Sequence, residues 1–408
     1  MKILYLNPNG TMGGAERALL DLMRAVREAR PDWSLELVVP ADGDFSTAAR
    51  SNGIDTSILP LPPAVARLGD AGAGGPAGNE ISKVALLGRL ALSTPQLAAY
   101  VKRLKTLLAA RDPDVIHSNG FKTHILSAWA SPPRSKVLWH VHDYVGSRPL
   151  MSRLMRLHAR RCGVAIANSH SVARDLDAVC RGKLKIHTVY NAVDLARFRP
   201  DGPALDLDAI AGVAPAPAGT VRVGLVATMA RWKGHEVFLR ALSMLPKDLP
   251  VRGYVIGGPI YSTNGSQRSI EELRALAAGL GLNGNAAFTG FVKDSAAAIR
   301  SLDVVVHAST DPEPFGLVVA EAMACGKPVV ASRSGGVAEI IAENENTLSC
   351  PPGDAAAIAG SIARLTLDCG LRQKLGNNGR RWAMERFATC RLGGEVVPIY
   401  ESLARPTN

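Results

Sequence analysis

DVVVHASTDPEPFGLVVAEAMACGKPVVASRSGG, residues 303–336, decides the fold class. Val304 to His307 is a short β-branched run and Pro328 to Ala331 is another. Between them lie a loop and a stretch, about Phe315 to Ala324, that reads as a helix. Two short apolar strands joined through a helix of that length form a parallel βαβ crossover. The helical stretch LVVAEAMA is apolar on every side except at Glu321. A helix apolar all round is buried, and a carboxylate buried with it needs hydrogen-bond donors. A core Lys or Arg would supply them, and so would the hydroxyls of a ligand.

Glu313 stands eight residues earlier in the loop, followed by Pro314, Phe315, Gly316 and Leu317. The free N–H groups of a helix N-terminus attract anions, and Gly316 lets a ligand come close to the backbone. One loop thus offers a carboxylate, an anion-binding helix end and a second carboxylate two turns on. That set suits a sugar nucleotide: Glu313 for sugar hydroxyls, the helix end for the diphosphate and Glu321 for the ribose diol.

The E-x7-E spacing, with PFG and CGKPVVAS around it, resembles the retaining GT-B glycosyltransferases of family 4. The similarity runs over nearly the whole chain. It implies an α/β protein of two Rossmann-like parallel-sheet domains facing across a cleft. The implied activity is transfer of a hexosyl group from a nucleotide diphosphate sugar to an acceptor hydroxyl with retention. The family's usual account is front-side attack, in which the leaving phosphate oxygen takes the acceptor's proton and no covalent nucleophile is needed.

Composition fits. A chain of 408 residues, 47% apolar, suits two domains of about 200 residues each. The opening MKILYLNPNG reads as a strand rather than a signal peptide. No apolar run approaches the ~20 residues that span a bilayer. The cysteines at 162, 180, 325, 350, 369 and 390 show no metal-ligand spacing, which points to reduced thiols in a cytoplasmic protein. No metal or other cofactor is expected. The net charge of +11 is concentrated: residues 81–161 hold fourteen Lys and Arg against Asp112, Asp114 and Asp143, an excess equal to that of the whole chain.

From the N-terminus, KILYL leads into NPNGTMGGAE and an amphipathic helix, the general phosphate-binding arrangement. Two glycines also make a plain tight turn. The resemblance implies that Gly13 and Gly14 let the donor diphosphate or the acceptor approach. Residues 69–79 are a Gly/Ala run, read as a mobile loop. His140 and His142 share one face of the strand KVLWHVHD near its carboxyl end, where open α/β sheets place ligands. The resemblance puts His142, with Asp143, at the donor sugar and gives His140 no role.

RPLMSRLMRLHARRC follows as a basic amphipathic helix. It can pack as an ordinary helix with a solvated Arg face, or lie on an anionic membrane surface. With the charge of 81–161, the second reading would place the protein peripherally on the inner face of the membrane, and it suits a glycolipid acceptor as well as a glycan or small molecule. Nucleic acid is not expected, because no zinc pattern or aromatic-rich motif accompanies the charge.

The expected domains are 1–195 on the acceptor side and 196–384 for the nucleotide sugar, with a last helix at about 385–404 packing back on the first. In the second domain Arg231 and Lys233 stand at a loop-to-helix junction, where two cations can neutralise a departing diphosphate without a metal. They can equally be surface cations. The resemblance matches Lys233-Gly234, whereas Thr228 occupies the family's usual Arg position and Arg231 offers a guanidinium three residues later. The segment TGFV resembles the edge that packs the nucleobase against the backbone near Val292. Two other functions fit the same features: a sugar-nucleotide epimerase or hydrolase, and a non-catalytic carbohydrate- or membrane-binding module.

Overall fold

The structure, a computed structural model, describes residues 1–63, 83–258 and 267–404, with only the backbone for 83–93. The Gly/Ala run at 69–79 lies outside the described residues. The chain forms two compact units, Met1–Ala192 with Thr389–Asn408, and Val193–Ala388.

In the first unit seven strands, β1 (Lys2–Leu6), β2 (Ser34–Val39), β3 (Asp55–Ile58), β4 (Val115–Asn119), β5 (Lys136–Val141), β6 (Val164–Ala167) and β7 (Ile186–Thr188), make one parallel sheet. Their order is β3-β2-β1-β4-β5-β6-β7. In the second, β8 (Val221–Val226), β9 (Val251–Ile256), β10 (Ala286–Gly290), β11 (Val304–His307), β12 (Val329–Ser332) and β13 (Thr347–Cys350) are also all parallel, in the order β10-β9-β8-β11-β12-β13. The central strands are buried on both faces because helices cover both, so they read as continuous apolar runs such as VVV and VVA.

Each sheet has one place where the strand order reverses, β1/β4 in the first and β8/β11 in the second. Loops leaving the two strands there run to opposite faces and open a crevice at their carboxyl ends.

The helix Arg391–Ala404 belongs to the first unit. Its Leu392, Val396, Ile399 and Tyr400 join the core built on β1, β2 and the helix Gly14–Ala29. Gly393 is what allows the two helices to approach, since a Cβ there would lie 2.9 Å from Ala29 Cβ and 3.0 Å from Ala25 O. The first unit ends at Ala192 rather than 195 because Val193 N donates to Phe387 O (2.7 Å) at the far end of the second unit. All six cysteines are free, four of them buried.

Candidate active site

In the second unit the strand β11 ends at His307, and the loop after it returns to the β8 side of the crevice. Thr310 N donates to Trp232 O (2.8 Å), fastening the loop to the short 3-10 turn Arg231–Lys233. Gly234, with φ of +72°, follows the turn; a Cβ there would fall 1.8 Å from Ala308 O, so only glycine lets the two loops meet.

The result is an ion pair. Lys233 Nζ donates to both Oε1 and Oε2 of Glu313 at 2.7 Å. The two side chains retain 21% and 15% of their exposure, so the pair is largely screened from water. Ser309 Oγ donates to Glu313 Oε2 (3.0 Å), and His307 Nε2 lies 3.5 Å from the same oxygen. Burial on its own would raise the Glu313 pKa, but the Lys233 ammonium and His307 hold it well below the usual carboxylate range. The sequence singled out both members of the pair without pairing them. It missed His307 and Ser309, although a histidine closing a valine run at a strand's carboxyl end was the available signal.

The Glu313 backbone is fixed as well: Gly336 N donates to Glu313 O (2.7 Å), and Glu313 pairs with Gly335 as an isolated bridge. A Cβ on Gly336 would lie 2.1 Å from Pro314 O. The helix then starts at Leu317, not at Phe315 as the sequence suggests. Gly316 adopts φ +91°, ψ +52°, a left-handed conformation that cannot belong to the helix and serves as its N-cap. Phe315 is buried edge-on against Phe387 at 5.7 Å. Glu321 sits one turn into the helix Leu317–Ala324 and is 8% exposed, consistent with the all-round apolar pattern. Arg231 is exposed at the start of its turn, and Val292 is half-buried just after β10.

In the first unit the three strand ends at the crevice carry amide and imidazole side chains. Asn7 follows β1, Asn119 ends β4 and His142 follows β5, so three neighbouring strands present one polar side chain each. His142 Nε2 lies 2.6 Å from Asn119 Oδ1, and Asn119 Nδ2 donates to Asn7 Oδ1 at 2.7 Å. With the Asn119 amide nitrogen committed to Asn7, its oxygen accepts, and His142 carries its proton on Nε2. Asn7 Nδ2 continues the chain to Glu16 Oε1 (3.2 Å), in the first turn of the helix Gly14–Ala29. Asn7, Asn119 and Glu16 are all buried.

Gly13 is the N-cap of that helix, and a Cβ on it would fall 2.7 Å from Glu16 Oε2; Gly14 has open space around it. Neither takes a left-handed conformation. Asp143 pairs with Arg148 (2.5 Å). The His140 ring lies tilted 4.0 Å from His142 and edge-on 5.1 Å from His117, whose Nδ1 meets Tyr400 Oη at 2.7 Å. Burial drives His142 down to about 4 and His117 to about 3, so both are neutral near pH 7.

Comparison with known proteins gives the family and the fold. The family model for glycosyl transferases group 1 matches residues 211–382, and that for glycosyltransferase family 4 matches residues 12–197. N-acetyl-alpha-D-glucosaminyl L-malate synthase of Bacillus anthracis is 22% identical over 76% of this chain and 80% of its own length. A D-inositol 3-phosphate glycosyltransferase of Xylanimonas cellulosilytica is 32% identical over 58% of this chain and 56% of its own. Among solved structures, Anabaena HepE in complex with UDP-glucose superposes with a TM-score of 0.76 at 26% identity, covering 98% of this chain and 100% of that one. The two parallel sheets are those of GT-B glycosyltransferases, as expected. Both units match, each to its own half of the family pattern, and the chain belongs to the group 1 glycosyltransferases.

Proposed function

We propose that this glycosyltransferase moves a hexosyl group from a nucleoside diphosphate sugar to an acceptor hydroxyl with retention, in bacterial glycan or glycolipid synthesis. The observation that carries the reading is the Lys233–Glu313 pair at the β8/β11 reversal, beside the capped N-terminus of the helix Leu317–Ala324. The Lys233 ammonium spends two donors on Glu313 and keeps a third for a phosphoryl oxygen. Arg231 and the amides of Phe315, Gly316 and Leu317 add to the diphosphate site. In this scheme the cations and helix amides meet the leaving group's charge, and no metal or other cofactor is required of the chain.

Glu313, kept ionised, accepts hydrogen bonds from sugar hydroxyls, and Glu321 holds the ribose diol. The base lies along the backbone near Val292. In the first unit taken by itself, His142 with Gly13 and Gly14 is the ligand-binding group. Because His142 is protonated on Nε2 and neutral, its Nδ1 is an acceptor, which suits a hydroxyl donor. The structures of HepE with UDP and UDP-glucose support a uridine diphosphate sugar as the first donor to try.

The test is incubation with a panel of uridine and guanosine diphosphate sugars, with and without EDTA, reading free nucleoside diphosphate. Slow release from one donor, insensitive to EDTA and lost in Glu321→Ala, supports the reading. Release that is unchanged in Glu321→Ala overturns the ribose assignment. Release abolished by EDTA overturns the metal-free scheme.

A further inference from the structure

We infer that the first unit docks on an anionic lipid surface through the helix Pro149–His158, the turn after it and the groove at its side. The inference rests on that surface alone and not on the donor chemistry.

The helix buries Ser152 and Met155. On its other side Leu150 is 48% exposed and Leu157 is 73% exposed, with Arg153 between them and Arg160 beyond, both exposed. Spacings of three, four and three residues put Leu150, Arg153, Leu157 and Arg160 on one stripe. Singly exposed leucines need no explanation. Two of them interleaved with arginines put apolar and cationic side chains on one exposed stripe, the mix that meets headgroups and the acyl boundary together.

Beside the stripe a groove of about 560 Å³ runs along the helix Lys83–Arg111. Leu97, Val101 and Trp129 give it an apolar floor, while Lys102, Lys105 and Arg161 stand around it. Trp129 Nε1 donates to His158 Nε2 (2.8 Å), and an Arg161 guanidinium nitrogen donates to Ala128 O (3.0 Å). These bonds join groove and stripe into one surface.

Charge selects the partner. Among the described residues no carboxylate pairs with Lys102, Lys105, Arg153, Arg160 or Arg161. Of the three acids between 94 and 161, Asp143 is held by Arg148 and Asp114 accepts from Lys2 N. An acid-free array of five cations around apolar side chains complements phosphate headgroups over acyl chains. Nucleic acid would use the cations but not the leucines, and the groove's Trp129 is held edge-on by His158 rather than offered for stacking.

The test is cosedimentation of the full chain with vesicles of phosphatidylglycerol and phosphatidylcholine, against phosphatidylcholine alone, at about 0.15 M salt. The wild type is expected to sediment with the anionic vesicles only. Leu157→Glu with Arg160→Glu, and separately Lys102→Glu with Lys105→Glu, should each cut the bound fraction at least tenfold, with thermal unfolding unchanged. Arg240→Glu with Lys247→Glu changes the charge on the second unit by at least as much as either pair and should change binding less than twofold. Failure of the wild type to bind, equal loss in that control pair, or stronger retention of a DNA fragment at the same salt would each overturn the inference.

Discussion

The two units share a layer plan and place their polar groups at the same topological point, yet they use opposite chemistry there. At β8/β11 the crevice is closed by an ion pair, Lys233 with Glu313, and a carboxylate held ionised. At β1/β4 it is lined by an imidazole and two amides, His142, Asn119 and Asn7, in a hydrogen-bonded chain that ends on the Glu16 carboxylate. Topology therefore decides where a site can form, and the side chains decide what it can hold. An ion pair suits a charged donor, whereas a tautomer-fixed imidazole suits hydroxyls.

The strongest way to break the comparison is Lys233→Ala. It leaves Glu313 without its cation, and turnover of the donor should fall by about a hundredfold to a thousandfold, the usual cost of losing one charge-stabilising group. A smaller loss than tenfold in steady-state nucleotide release would show that the charge pair is only structural.

Acid should separate the units. His142 titrates near 6.5 when unfolded and at about 4 in the fold, so the unfolded chain binds the extra proton between those values. Stability is then lost as pH falls from about 6.5 to about 4, by up to ~3 kcal/mol for His142. His117 acts in the same sense, down to about 3. Among the described residues the second unit has one such histidine, His235, also near 4, against four in the first, His117, His124, His140 and His142. Its depressed Glu313 costs stability only once pH falls into the usual carboxylate range. Hydrogen exchange corrected for intrinsic rates should show β1, β4 and β5 losing protection first, and equal loss in β8 and β11 would contradict the contrast.

Glu321→Ala removes charge-assisted hydrogen bonds worth about 1.5–3 kcal/mol each, so donor affinity in a calorimetric titration should weaken roughly tenfold to a hundredfold. The smallest effect belongs to Asn119→Leu. Losing its bond to His142, ~1 kcal/mol, should lower turnover about fivefold, while the lost bond to Asn7 shows as lower stability. The ¹⁵N spectrum of His142 should move from a single Nε2–H tautomer to a mixture, and an unmoved spectrum would mean that Asn119 does not set the proton.

Much of this was legible in the chain. The valine runs at 304–307 and 328–331 announce doubly buried parallel strands; Glu313 and Lys233 stand out where loops meet helices, and Glu321 as the one polar residue of an otherwise apolar helix. Pairing was not legible, because Lys233 and Glu313 are eighty residues apart and meet only once β8 and β11 are known to be neighbours. Asn7 and Asn119 escaped notice for a different reason. An asparagine after a strand is ordinarily a turn residue, and only the strand order reveals that these two touch. The helix start was misplaced by two residues because a left-handed glycine looks, in sequence, like any other glycine before a helix.

The return of Arg391–Ala404 to the first unit sets an order of assembly. The second unit is one continuous stretch, Val193–Ala388, and all of its core has left the ribosome before the first unit's has. Until Leu392, Val396, Ile399 and Tyr400 emerge, the N-terminal sheet lacks four large core side chains. At about 1.5–3 kcal/mol each, their absence is worth roughly 6–12 kcal/mol, as much as a whole domain's usual margin. The half of the protein made first is thus the half finished last.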